Sequence, residues 1–170
     1  SFTGAKPKST LLKALEEYGH RVQPAEGDAL VTNETGWALA VSAADCYPLL
    51  FHDETNGVIG AAHAGWRGTV AGIAANVLTA MTALGAERSQ VQVAIGQGIC
   101  KQHFEVGNDV IEEFEAAGFP QSTLTGGHID LQACNSWLLQ RAGVPERNIW
   151  CLDRCTFEED FFSYRRDGGL

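Results

Sequence analysis

The sequence predicts a mixed α+β domain in which mixed or antiparallel sheets are flanked by helices. Three observations carry this reading. Short runs rich in Val, Leu and Ala are bounded by turn residues, as strands are. An Asn-Gly pair separates two of those runs, which is a hairpin signal. Other stretches repeat apolar residues three and four apart, the helical period. A length of 170 residues, 45% apolar and 19% charged, suits one globular domain over 1–170 with a substantial core. Strands interleaved with helices and including a hairpin argue against a pure doubly wound order.

The elements follow in order. "STLLKALEEYG" has apolar residues at 11, 12, 15 and 18 and a glycine stop at 19, so 9–18 reads as a helix. "DALVTN" and "WALAVSAA" read as short strands. "PLLFHD" and "GVIGAAHA" form a hairpin through "ETNG", because Asn56 and Gly57 both tolerate positive φ. A turn centred on that pair sets Phe51 opposite Ala62 and Pro48 opposite Gly65. Cys46 and His63 then share one end of the hairpin, and strands ~4.8 Å apart let their side chains converge. "RGTVAGIAANVLTAMTALG" reads as one helix, with Val70, Ile73, Val77, Met81 and Leu84 on a stripe and Gly85 as its stop. "VQVAIG" is a strand, followed by the glycine-interrupted "GQGICKQHFEVG". "NDVIEEFEAAG" and "IDLQACNSWLLQRAG" read as helices capped by Asn108 and Asp130 or a near neighbour, and "NIWCL" as a last strand.

Composition narrows the function. A net charge of −9 argues against nucleic acid as a partner, since phosphate backbones are met by Lys and Arg surfaces. No apolar run reaches the ~18–20 residues of a membrane span. Five cysteines make no even disulfide framework and show no paired C-x-x-C spacing, so reduced thiols in the cytoplasm are expected.

The candidate site lies in "AADCYPLLFHDETNGVIGAAHAGWRG". Taken alone, Cys46 is a small buried hydrophobe and His63 a satisfied strand histidine. Brought together, they are either a nucleophile with its base or two ligands of a borderline metal such as zinc. Residue types do not choose between these. "HAGWRG" surrounds His63 with small residues and adds Arg67, whose planar fork suits phosphate or carboxylate; Trp66 reads as packing. Elsewhere, "CKQH" sets Cys100 and His103 at i, i+3, in reach of one metal if helical. Cys151 and Cys155 in "CLDRC" share a helix face or a loop. Arg165 and Arg166 read as a solvated pair, and His20, His52 and His128 join no constellation.

Taken in order, "DALVT", "AADCYPLLFHD", "AAHAGWRG", "AIGQGI", "FEVG", "DL" and "FFSYRRDGG" resemble the bacterial laccase-domain family, also called the polyphenol-oxidase or multicopper-oxidase-like family. The resemblance implies a laccase-domain fold, similar to that of cytotoxic necrotizing factor, and one zinc held by a cysteine and two histidines. Cys46 and His63 match two of these ligands. The third, in a "Q-V-H" motif of the family, has no counterpart here and is expected upstream of Ser1, with the family's N-terminal region. "GQG" also stands where the family has glycine-proline.

The resemblance further implies a purine nucleoside phosphorylase acting on adenosine, inosine, guanosine or methylthioadenosine with phosphate, and deaminating adenosine. Cys46, His63 and Arg67 are its candidate catalytic residues, Arg67 as a phosphate holder by inference from its chemistry. Other family labels leave alternatives: a Cys/His hydrolase editing peptidoglycan precursors, with Cys46 as nucleophile, or a copper-dependent laccase. Five histidines without an H-x-H pair do not furnish a multicopper site, although copper competes with zinc at any Cys/His site. A non-catalytic metal- or partner-binding module is the remaining reading.

Overall fold

The computed structural model of the protein describes residues 26–168; the helix expected over 9–18 and His20 lie outside them. One sheet contains β1 (Ala29–Thr32), β2 (Tyr47–Asp53), β3 (Val58–Ala64), β4 (Gln92–Ile95) and β7 (Ile149–Cys151). Its order is β1-β3-β2-β4-β7. All neighbours are antiparallel except β4 and β7, which run parallel. β5 (Leu124–Thr125) and β6 (His128–Ile129) form a separate small hairpin. The helices are α1 (Trp66–Val70), α2 (Ile73–Ala83), α3 (Asn108–Ala116), α4 (Leu131–Arg141) and α5 (Tyr164–Asp167). The expected mixed α+β architecture is therefore the one observed.

Strand β2 alternates as a half-covered strand should: Tyr47, Leu49, Phe51 and Asp53 are buried, while Leu50 and His52 are exposed on the other face. Helix α2 covers the inner face with Ala74, Val77, Leu78 and Met81, against Leu49, Phe51, Val58, Ala62 and Val93. Each such large side chain fully buried contributes about 1.5–3 kcal/mol before ordering costs.

Three local expectations need correction. The β2–β3 hairpin forms, but Phe51 faces Gly60 and Pro48 faces His63, two residues from the expected register. The loop has four residues because Asp53 caps it. Its carboxylate accepts the backbone N–H (3.1 Å) and side-chain amide (2.9 Å) of Asn56, and the N–H of Glu87 (2.8 Å). Second, residues 37–44 form no strand. Most of these residues are exposed, Trp37 among them, and the segment passes close to His63 through the Ser42 carbonyl instead. Third, the long helix is broken at Gly72, whose φ of 73° is left-handed, so that α1 and α2 are separate. The caps fall as expected: Gly107, next to Asn108, caps α3, and Asp130 caps α4 through the N–H of Ala133 (2.9 Å).

Candidate functional site

Cys46 lies one residue before β2, and continuing the ladder places it opposite Gly65, diagonal to the His63 that faces Pro48. Because the strand period is two, Cys46 and His63 share one face. Both side chains border Gly65: a Cβ there would stand 2.9 Å from Cys46 Sγ and 3.7 Å from His63 Nε2. The two ligand-type atoms thus flank one point that a side chain at position 65 would invade. His63 Nδ1 lies 2.9 Å from the carbonyl oxygen of Ser42. A carbonyl only accepts, so Nδ1 carries the proton and Nε2 keeps its lone pair on the Cys46 side. This orienting contact comes from the stretch read as a strand, and backbone carbonyls leave no trace in residue type.

The turn after His63 is held from outside. The backbone N–H and hydroxyl of Thr69 both donate to the Gly65 carbonyl (2.8 and 2.9 Å), and buried Asn135 of α4 donates to the Thr69 hydroxyl (3.1 Å). Arg67 is exposed on α1, its guanidinium carbon 4.0 Å above the Trp66 ring. Helix α1 begins at Trp66, one residue before the Arg67 with which the expected helix opened.

Asp45 anchors the other side. It is a non-glycine residue at a φ of 83°, which Asp tolerates better than most residues. Its carboxylate accepts the Thr156 hydroxyl and the Arg165 N–H, each at 2.7 Å, and its carbonyl accepts the Ile99 N–H at 2.8 Å. Burial, then the carboxylates of Asp45 and Asp28, push the Cys46 thiol up to about 11. Near neutral pH this cysteine keeps its proton unless a cation offsets those effects. Arg165 stays exposed and Arg166 is partly buried, and both guanidinium groups bond to the backbone. Arg165 donates to the Glu105 carbonyl (3.0 Å), and Arg166 clamps the carbonyls of Phe157, Glu158 and Phe161 (3.2, 2.6 and 2.7 Å).

Among the described residues, one group of three side chains has metal-ligating spacing: Cys100, His103 and Cys155, with ligand atoms all within 4.8 Å of one another. No third such residue joins Cys46 and His63 among the described residues. Cys100 and His103 meet because Lys101–His103 forms one 3-10 turn. Cys155 arrives from the far end of the chain through a bridge to Gly98, a long-range contact that spacing does not encode. Cys151 is exposed and stands outside the group.

Residues 8–170 match the family described as multi-copper polyphenol oxidoreductase laccase. The chain is 49% identical over 147 residues to the purine nucleoside phosphorylase of Deinococcus radiodurans, covering 85% of this chain and 57% of that protein. It is 43% identical over 150 residues to adenosine deaminase RL5 of an unknown prokaryotic organism, covering 83% and 57%. The fold is similar to the crystal structure of YlmD from Geobacillus stearothermophilus, with a TM-score of 0.77 and 38% identity over 84% of this chain and 56% of that one. The chain thus spans somewhat more than half the length of these relatives.

Proposed function

The chain belongs to the multi-copper polyphenol oxidoreductase laccase family, and on that premise we propose that it serves a zinc-dependent purine nucleoside phosphorylase. Its substrates are adenosine, inosine, guanosine and methylthioadenosine, with deamination of adenosine as a second activity. The names of the D. radiodurans and RL5 relatives support both reactions. The observation that carries the reading is the pairing of Cys46 Sγ and His63 Nε2 around the open point at Gly65.

Cys46 and His63 fit two ligand positions of a zinc site: one thiolate and one neutral imidazole whose tautomer is set by the Ser42 carbonyl. When bound, zinc supplies a Lewis acid that polarises a substrate group. The protein's own groups do the rest. Gly65 keeps the approach open, and Arg67 holds phosphate through its planar fork. In phosphorolysis a phosphate oxygen bonds to ribose C1′ as the bond to the base nitrogen breaks, and the departing base takes up a proton. The raised Cys46 thiol disfavours the hydrolase reading, in which Cys46 attacks substrate as a thiolate without a metal. Five free cysteines suit a reducing compartment, and we place the protein in the cytoplasm. Among the described residues no helix is long and apolar enough to cross a membrane.

The test is direct. Zinc-loaded full-length protein given adenosine and phosphate is expected to release adenine and ribose 1-phosphate, with inosine from deamination. Arg67→Ala is expected to raise KM for phosphate with less effect on KM for the nucleoside. Absence of free base with zinc confirmed bound overturns the proposal.

A further inference from the structure

We propose that Cys100, His103 and Cys155 form a second metal site, for a tetrahedral borderline-soft ion such as Zn²⁺, which clamps the C-terminal segment onto the loop after β4. The site is separate from Cys46 and His63 and does not depend on the activity assigned above.

Distances come first. His103 Nδ1 lies 3.2 Å from Cys100 Sγ and 3.4 Å from Cys155 Sγ, and all three atoms fall within 4.8 Å of one another. Zinc bonds of ~2.3 Å to sulfur and ~2.0–2.1 Å to nitrogen, set at tetrahedral angles, require edges of roughly 3.6 Å between sulfur and nitrogen and roughly 3.8 Å between sulfurs. The observed sulfur–nitrogen distances of 3.2 and 3.4 Å lie a few tenths of an ångström short of that demand.

The surroundings hold these atoms in place. The Cys100 N–H donates to Cys155 Sγ at 3.2 Å, an outer contact that orients a ligating thiolate. The His103 ring is stacked on Phe157, centroids 4.2 Å apart and planes at 14°, so Nδ1 stays directed at the sulfurs. The Cys155 backbone is tied by the Thr156 N–H to the Gly98 carbonyl (3.0 Å) and by its own N–H to Glu158 Oε1 (3.1 Å). Two thiolates balance the charge of a divalent ion, so binding releases two thiol protons to solvent. Three protein ligands, with His103 exposed, leave the fourth position for water or an exogenous group. The clamp also reaches Asp45, because Thr156 follows Cys155 and Ile99 precedes Cys100, and both bond to Asp45.

The experiment uses full-length protein carrying Cys46→Ala and His63→Ala, titrated with Zn²⁺ against a chromophoric chelator. One equivalent is expected to remain bound, and to be lost on adding Cys155→Ser or His103→Gln. Cobalt(II) in place of zinc is expected to give thiolate charge-transfer and intense tetrahedral absorption. A readout on the unmutated protein covers variants that fail to fold: zinc should protect Cys100 and Cys155 from alkylation while exposed Cys151 reacts equally with and without it. Equal alkylation of Cys100 and Cys155 in both conditions overturns the proposal. So does a Cys100–Cys155 disulfide that zinc and mild reductant do not convert to a metal complex.

Discussion

Gly65→Ala separates the geometry of the Cys46–His63 site from the stability of the fold. The new Cβ would stand 2.9 Å from Cys46 Sγ, whereas ordinary contact begins near 3.4 Å, so the sulfur must retreat by at least half an ångström. Metal-ligand distances are held to about 0.2 Å. The retreat exceeds that tolerance, and zinc affinity is expected to fall about 10–100-fold. The backbone is not the cause, since Gly65 has φ −77° and ψ 173°, which alanine adopts freely. Loss of glycine at this cap costs at most about 1 kcal/mol. Zinc competition titration of the full-length variant beside its thermal melt reads both effects. Gly72→Ala is the control: its φ of 73° with open space around it costs about 1 kcal/mol and leaves zinc binding unchanged. Wild-type zinc affinity in Gly65→Ala would refute the placement of Cys46 Sγ at this point.

Other outcomes follow from the same structure. Cys46→Ala and His63→Ala, made singly, are each expected to abolish zinc at that site and base release from adenosine; turnover unchanged by either substitution would contradict the assignment. Asp45→Asn keeps the left-handed backbone accessible but offers one acceptor oxygen where Thr156 and Arg165 need two. The orphaned donor costs about 1–3 kcal/mol, lowering Tm by roughly 3–9 °C; an unchanged melt would show the anchor to be redundant. Burial alone would raise Asp53, but the Asn56 side chain and the N–H groups of Glu87 and Asn56 outweigh it and hold the carboxyl below its usual range. A depressed folded value means stability is present above the unfolded value of ~3.9 and is lost as pH falls through the folded one. Denaturant titrations at neutral and acid pH should therefore show an acid loss that Asp53→Asn reduces, and an identical loss in both proteins would exclude Asp53 as its source.

Much of the sheet was legible because it is local. Strands β1 to β4 appear where apolar runs and the Asn-Gly pair set them. The hairpin register was misread by two residues because the loop length depends on Asp53 reaching Glu87, 34 residues away in sequence. The break at Gly72 was hidden because the apolar stripe runs through it unchanged. The strand expected over 37–44 did not form, and most of that segment stays exposed. Arg166 was read as solvated because its partners are backbone carbonyls of a loop whose path the sequence does not describe.

The sequence by itself placed Cys46 and His63 at one end of one hairpin, where their side chains can converge. A register error of two leaves this intact, because side chains repeat with period two and an even shift keeps every residue on its side. Only the tertiary structure decided that the Ser42 carbonyl sets the tautomer of His63, that Asp45 binds the C-terminal segment, and that Cys155 completes a triad with Cys100 and His103. Each of these joins chain segments that no local periodicity relates, and only the packed fold brings them within bonding distance.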